Sequence, residues 1–462
     1  MAGAFGALGG DLSALSINPA ASSVFLHSEL GGTVSFLNNA TTGTYFGNSI
    51  LHENQNLDFD QIGFASVFNN NNTESNWTRI SAGINVHQIA NFNQKSRLDG
   101  TSNQGIDNYF LYYASGLAFQ HLPLYDDETV SEIYSYLSEN IGYGAQQAFL
   151  GYQAYLLNPS AFDDNNTDYY SNVEFNQLNH KLDLINKGKH RKTTFNFGAL
   201  YKNLLHLGVN INYHKLEYQQ DHYLFESNQN HDSPVYDINF ENKLFTYGEG
   251  YSTQLGFILK LKTLRFGFTY DSPKWLSIYD EDQQSLSAYH YEDGNFIKET
   301  ITPDVINAYT PYRLKMPSKT TFSGAYIFGN KGLLSVDYNY QNAANTTLSE
   351  EGRNAYLDTI NTEIKTSYQP IQTLKIGGEY RFNNISLRAG YLQQNSPSKS
   401  LNKENQAITF GLGFDFGSSS LNLSFVRSEQ NQQFNLYPEG LTTPYDLSKA
   451  STLVGLSYNL KL

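Results

Sequence analysis

Catalysis or metal binding in this chain would have to draw on its 11 histidines and 44 Asp and Glu residues, because it has no cysteine. Disulfides and thiolate ligands are thereby excluded. The histidines are scattered. His206 and His214 alternate with apolar residues and are expected to face a lumen. His222 and His231 fall in an Asp-containing stretch read as a loop. The sequence holds no Gly-x-Ser-x-Gly elbow, no phosphate loop and no His-Glu-x-x-His pair. No catalytic residue, metal site or cofactor is therefore expected, and the chain reads as a non-enzyme. Acids outnumber the 30 bases to give a net charge of −14, so the basic footprint of a nucleic-acid binder is missing.

Two other groups of residues have chemistry to offer. Asn18, Pro19 and Ala20 follow a Gly/Ala-rich opening that can pack closely against a wall. Proline biases the residue before it toward an extended backbone, which leaves the Asn18 amide free to bond neighbouring polar groups. The plain alternative is a turn leading into a first strand. The second group is apolar: Leu111, Leu117, Phe119, Leu122 and Leu124, inside a long insertion, are candidate contacts for a hydrophobic ligand or a partner protein.

The elements that must position these residues are strands. Leu264, Phe266, Phe268 and Tyr270 alternate with Arg265, Gly267 and Thr269, and the same period of two recurs at 205–213, 334–341 and 408–416. Fourteen strands are expected near 28–38, 58–69, 77–92, 193–203, 204–219, 247–262, 263–275, 318–329, 332–345, 371–382, 385–394, 405–416, 420–429 and 450–462. Tight links at 203–204, 262–263, 330–331, 383–384 and 417–419, with a polar turn at 70–76, alternate with long polar stretches at 39–57, 93–192, 220–246, 276–317, 346–370, 395–404 and 430–449. Short turns on one side and long loops on the other are the asymmetry of an outer-membrane barrel, with both ends of an even-stranded barrel on the short-turn, periplasmic side. A mean hydropathy of −0.47 does not oppose this, because only alternate residues of a barrel strand face lipid. Leu456, Tyr458, Leu460 and Leu462 share one face of a last strand expected to close on the first. The opening ten residues lack a charged leader region, so a leader is expected upstream.

The insertion at 93–192 breaks the alternation. Thr129 and Glu132 fit a capping box ahead of Val130, Ile133, Tyr134, Leu137 and Ile141 at helical spacing. Ile106, Phe110, Tyr113 and Leu117 form a second such stripe, and Ala148, Tyr152, Tyr155 and Leu156 a third. A small helical cap on the loop side is expected.

The stretch from Gly6 to Ala21, with Gly9-Gly10-Asp11 and then Asn18-Pro19-Ala20, resembles the N-terminal hatch of the FadL/TodX family of outer-membrane transport proteins, in its Bacteroidetes versions. Leu374–Phe382 and Leu387–Tyr391 are similar to that family's paired late strands. The resemblance implies an all-β, fourteen-stranded antiparallel transmembrane barrel over 28–462, with residues 1–27 as a hatch in the lumen. It also implies a gate at Asn18, Pro19 and Ala20, and hydrophobic substrates that leave sideways through the wall. Two functions follow as expectations. One is passive uptake of small hydrophobic molecules, fatty-acid-like or aromatic, across the bacterial outer membrane whose lipid surrounds the barrel. The other is a non-transporting barrel that binds partners in an envelope assembly or secretion complex. No nucleic acid enters either.

Overall fold

The computed structural model describes every residue except His231, Asp293, Arg353, Asn402 and Lys403. The fourteen wall strands are β1 Glu29–Tyr45, β2 Asn48–Asn69, β3 Trp77–Asn91, β4 Leu178–Tyr201, β5 Leu205–Asn228, β6 Val235–Leu261 and β7 Leu264–Asp271. They continue as β8 Lys319–Ile327, β9 Gly332–Asn342, β10 Pro370–Phe382, β11 Ile385–Gln394, β12 Asn405–Asp415, β13 Ser419–Asn435 and β14 Pro444–Lys461. Each pairs antiparallel with the next, and β14 returns to β1 in a ladder from Glu29↔Lys461 to Thr44↔Asp446. Closure leaves no edge strand, which a sheet in lipid requires. No helix among the described residues is long and apolar enough to cross a membrane, so the strands do the crossing.

Side-chain alternation sets the two faces. Leu264, Phe266, Val336, Tyr338, Phe410 and Leu423 are exposed on the outside, with Phe268, Leu412 and Leu421 partly so. Thr194, Asn196, Asn210, Gln254 and Asp337 are buried on the inside. An apolar outer face with a polar interior is the inverse of a soluble core and marks a membrane-spanning wall. Aromatic residues rim the short-turn end of the band. Trp77 and Tyr201 lie edge to face at 5.1 Å, and Tyr326 and Phe328 at 4.7 Å.

Several strands run far beyond their expected ends. Much of 39–57, 220–246, 276–317 and 430–449, expected as loops, is strand. β1 and β2 meet in a tight turn at Phe46-Gly47, so short turns are not confined to one end. His222 therefore sits on β5 rather than in a loop, while His231 lies outside the described residues. The insertion expected at 93–192 contains a strand of its own, Gln94–Ser102, and ends where β4 begins at Leu178. The physical reason is a reversal of pattern along each strand. In the membrane, β4 points Phe195 and Phe197 outward and Thr194 and Asn196 inward. Beyond it, Lys181, Asp183 and Lys187 point outward to water, and Leu178, Leu182 and Leu184 turn inward under the cap. A single amphipathic template cannot follow both halves.

The cap consists of α1 Asp107–Ala114, α2 Val130–Asn140 and α3 Tyr143–Gln153. Thr129 and Glu132 make the reciprocal capping box, with Thr129 N donating to Glu132 Oε2 at 3.0 Å. The helices bury Phe110, Tyr134, Leu137, Phe149 and Leu150 against Leu182, Leu224 and Phe240 of the wall extensions and Leu441 of the β13–β14 loop. A further helix, α4 Ala355–Ser367, occupies much of the polar stretch 346–370, expected as loop.

Cap attachment carries a pH dependence. Asp107 is buried, its Oδ2 accepts from Ser171 Oγ at 2.6 Å, and burial together with the nearby Glu226 carboxylate pushes its pKa up to about 7. A carboxyl raised from its unfolded value near 4 stabilises the folded cap fully below that value. The contribution is lost at up to ~1.4 kcal/mol per unit as pH rises from about 4 to 7. Hydrogen exchange in α1, corrected for intrinsic rates, should therefore be slower at pH 5 than at pH 8. Asp107→Asn should level the two; equal protection in the parent protein would refute the assignment.

Candidate functional site: the hatch seat and the wall seam

A barrel of fourteen strands encloses more space than wall side chains can fill. Here the opening residues fill much of it. Two short turns of 3-10 helix, Leu12–Ser16 and Pro19–Val24, lie inside the wall, and Ala14, Leu15, Asn18, Ala20, Ala21, Ser22 and Ser23 are fully buried. Asn18 takes an extended backbone, and its Oδ1 caps the second turn by accepting from Ala20 N at 3.0 Å. Its amide donates to Gly6 O at 2.7 Å and to Phe257 O on β6 at 3.1 Å. One side chain thus ties together the start of the segment, its second turn and the wall.

The wall supplies a matching slot. Gly198, Gly208 and Gly256 stand opposite one another across β4, β5 and β6. A Cβ at Gly208 would overlap the Pro19 carbonyl and Ala20 N. One at Gly256 would overlap Asn18 Oδ1 and stand 2.8 Å from Pro19 Cδ, and one at Gly198 would overlap Ser22 Oγ. Glycine inside a strand weakens it and is kept where another backbone must approach closely. Around the slot, wall amides satisfy hatch carbonyls. Asn196 Nδ2 donates to Pro19 O and Asn210 Nδ2 to Leu15 O, both at 2.8 Å, and Gln254 Nε2 to Ile17 O at 3.1 Å. Arg265 Nη1 reaches Leu8 O at 2.9 Å, and Asp337 Oδ2 accepts from Gly6 N at 3.0 Å. His206 faces the hatch, its Nδ1 2.8 Å from Ser23 Oγ, whereas His214 lies 3.2 Å from His190 and 2.9 Å from Ser252 Oγ. A cavity of about 970 Å³ opens on the short-turn side of the hatch, bordered by Phe5, Leu8, Phe25, Arg265, Glu379 and Arg388.

The wall is not laddered throughout. β2 and β3 pair only from Gln61↔His87 to Asn69↔Arg79. Beyond that, after a break at Phe92 and Asn93, the chain continues in the same register against the outer part of β4 as Gln94–Ser102, which lies on the lumen side of β1, where Leu98 covers Gly43. The upper parts of β1 and β2 are joined to the end of β3 and to Asn93 by side chains. Asp58 accepts from Asn91 and, at 3.3 Å, from Gln88, and Asn93 O accepts from Asn39 at 3.2 Å and Asn54 at 3.4 Å. A seam of side-chain amide bonds, to the Asp58 carboxylate and to the Asn93 carbonyl, stands in place of the backbone ladder.

The five apolar insertion residues belong to the cap. Phe119 and Leu122 are buried within the cap core, and Leu111, Leu117 and Leu124 pack against it. The glycine slot, the wall amides and the Asp58–Asn91 seam went unread in the sequence. Their signals were glycines and asparagines on the inward positions of strands. No group of three or more His, Asp or Glu side chains among the described residues is arranged to hold a metal ion.

A closed antiparallel barrel, plugged from inside by its own first residues and capped at the far mouth, defines the architectural class. No protein-family model matches the sequence, and no curated protein does. Among solved structures the chain is similar to a Pseudomonas aeruginosa FadL homologue, with a TM-score of 0.55 and 11% identity over 99% of this chain and 95% of that one. It is also similar to the P. putida toluene transporter TodX, with a TM-score of 0.52 and 13% identity over 98% and 94%. At such identities the likeness establishes a shared fold.

Proposed function

We propose that the chain is an outer-membrane channel for passive uptake of small hydrophobic molecules, fatty-acid-like or aromatic, with both termini periplasmic. In this reading residues 1–27 are the hatch, 28–462 the barrel in outer-membrane lipid, and Asn18, Pro19 and Ala20 the gate. The observation that carries it is the β2–β3 seam. The backbone ladder ends at Gln61↔His87, at the outer edge of the lipid band, and side-chain bonds take over there beside a lumen blocked by the hatch. A hydrophobic molecule that cannot pass the plug has a sideways route through bonds that can open and reclose. Similarity in fold to a structure described as a toluene transporter supports the same reading. Burial at ~25 cal/mol per Å² of apolar surface would give a fatty-acid-sized ligand useful affinity without special chemistry.

One observation favours a second reading, a barrel that docks envelope partners and transports nothing. The cap is packed through and presents Tyr112, Tyr125, Phe162 and Tyr170 to the outside, Phe162 at 79% exposure. Asn18→Ala separates the two. It removes the bonds to Gly6 O and Phe257 O, each worth about 1 kcal/mol. Uptake of a labelled fatty acid should change several-fold while the barrel stays folded and partner pull-down is unaltered. Unchanged uptake with partners retained would sink the gate and favour the docking barrel.

A further inference from the structure

Above the lipid band the wall splits and leaves one strand edge unmatched. Ile62 is level with Val86 and Thr193, and through them with the aromatic row Tyr213, Tyr251 and Trp275. Such a row marks the boundary of the band. Past it β2 runs on to Asn48, laddered on one side to β1 and, among the described residues, to no strand on the other. Gln94–Ser102, the outer continuation of β3, lies beneath the inner face of the β1–β2 hairpin rather than beside β2. Asn93 O accepts there from Asn39 on β1 and Asn54 on β2, and Leu98 meets Gly43.

The hairpin geometry tells which backbone groups are left over. Phe46 and Gly47, with φ of +46° and +81°, make a two-residue turn between Tyr45 and Asn48. The pair closing such a turn exchanges both backbone bonds, and bonded rungs then recur at every second residue. Ser49, Leu51, Glu53, Gln55 and Leu57 therefore aim N–H and C=O away from β1. Among the described residues, none of these groups meets another backbone group.

Open edges are guarded in natural sheets by Lys, by Pro or by shortness. Gln94–Ser102, across the split, carries Lys95 and Arg97. The outer part of β2 has none of these guards, and the sequence holds no Lys or Arg between His27 and Arg79. Its charges are the carboxylates Glu53, Asp58 and Asp60. Glu53 is exposed and, among the described residues, has no cation within ion-pair distance. Leu51 and Leu57 flank it at 59% and 78% exposure. A row of alternating backbone donors and acceptors is matched by another extended polypeptide, and acids between leucines favour a basic, partly apolar one.

We propose that the outer edge of β2, from Ser49 to Leu57, receives an extended peptide segment of a partner protein as an added antiparallel strand. Apolar side chains of that segment lie beside Leu51 and Leu57, and a lysine or arginine beside Glu53. The proposal goes beyond both functional readings above. It needs a folded barrel, and neither uptake nor the cap.

The test is fluorescence anisotropy of the full chain in neutral detergent. The probe is a short, capped, labelled peptide in which threonine alternates with valine and lysine; its control is the same peptide with every amide N-methylated. Saturable binding of the first and none of the second is expected, because methylation removes the backbone donors and keeps the side chains. Gln55→Pro leaves the β1 ladder intact but removes one edge donor and sets a ring against the added strand, so binding should weaken about tenfold. Glu53→Lys should weaken it by up to about fivefold, regained when the peptide carries glutamate for lysine. Heat-modifiable gel migration reports that each barrel is folded. No saturable binding to the parent, equal binding of the methylated peptide, or full binding by folded Gln55→Pro would overturn the site. Self-association of the parent that excludes the peptide and is abolished by Gln55→Pro would place a second copy on the edge, and would overturn it too. If Gln55→Pro does not fold, the methylated peptide and Glu53→Lys decide. Peptide binding in detergent is independent of uptake, so the channel reading and this site fail separately.

Discussion

Replacing Gly208 by valine is expected to unseat the hatch from an otherwise closed barrel. The new side chain would occupy the space of the Pro19 carbonyl and Ala20 N, and no rotamer avoids a backbone already in contact with the wall. The bonds from Asn196 to Pro19 O, Asn210 to Leu15 O and Asn18 to Phe257 O would be lost together. At about 1 kcal/mol each, that is roughly 3 kcal/mol, or about a hundredfold in the population of the open hatch. Because the chain has no cysteine, Ala20→Cys gives a single reporter at a position with no solvent exposure. A membrane-impermeant maleimide should label it slowly when residue 208 is glycine and about a hundredfold faster when it is valine, with heat-modifiable migration unchanged. Equal labelling rates in two folded barrels would show that the slot does not hold the hatch.

Leu412→Arg is expected to cost the barrel ~2–4 kcal/mol in lipid. Leu412 lies on the outward face of β12, level with Leu387 and Leu423 on either side and next to Phe410, which is 56% exposed. An arginine there would place its guanidinium in hydrocarbon on a strand with no polar outward neighbour at that depth. Urea unfolding of the refolded protein in vesicles should show the loss. The inward change Thr409→Ser on the same strand should leave the midpoint unchanged, because it keeps the hydroxyl that accepts from Met1 N at 3.0 Å and Ala2 N at 2.9 Å. A Leu412→Arg protein as stable as its parent would mean that this face does not meet lipid.

The membrane halves of the strands were legible because one template, apolar out and polar in, holds from Leu264 to Tyr270 and from Ile408 to Phe416. The outer halves were not, because Leu182, Leu184, Leu224 and Phe240 turn their apolar side inward beneath the cap, so that the alternation changes phase in meaning though not in period. The helix at Ala355–Ser367 carried a usable signal. Asn354 accepts from Tyr356 N and Leu357 N, and Leu357, Ile360 and Ile364 follow at helical spacing, but polar residues between them hid the stripe. Asn18-Pro19-Ala20 could be picked out as a segment. Its seat could not, since Gly198, Gly208 and Gly256 meet only through strand register, which alternation leaves free by steps of two. Apolar residues at 111–124 read equally well as a ligand surface or as core, and Phe119 and Leu122 went to the core.

On the proposed sideways route, hydrophobic molecules cross the wall at the seam between β2 and β3. The most direct measurement is uptake of a labelled long-chain fatty acid by cells carrying Asp58→Cys/Asn91→Cys, before and after a short bis-maleimide joins the two side chains that meet there. Uptake above that of cells lacking the protein is expected before cross-linking, with a fall to their level afterwards. A single-cysteine control treated alike should keep its uptake. Undiminished uptake through a cross-linked seam would contradict the sideways route, and no uptake above the empty cells at any stage would contradict the channel itself.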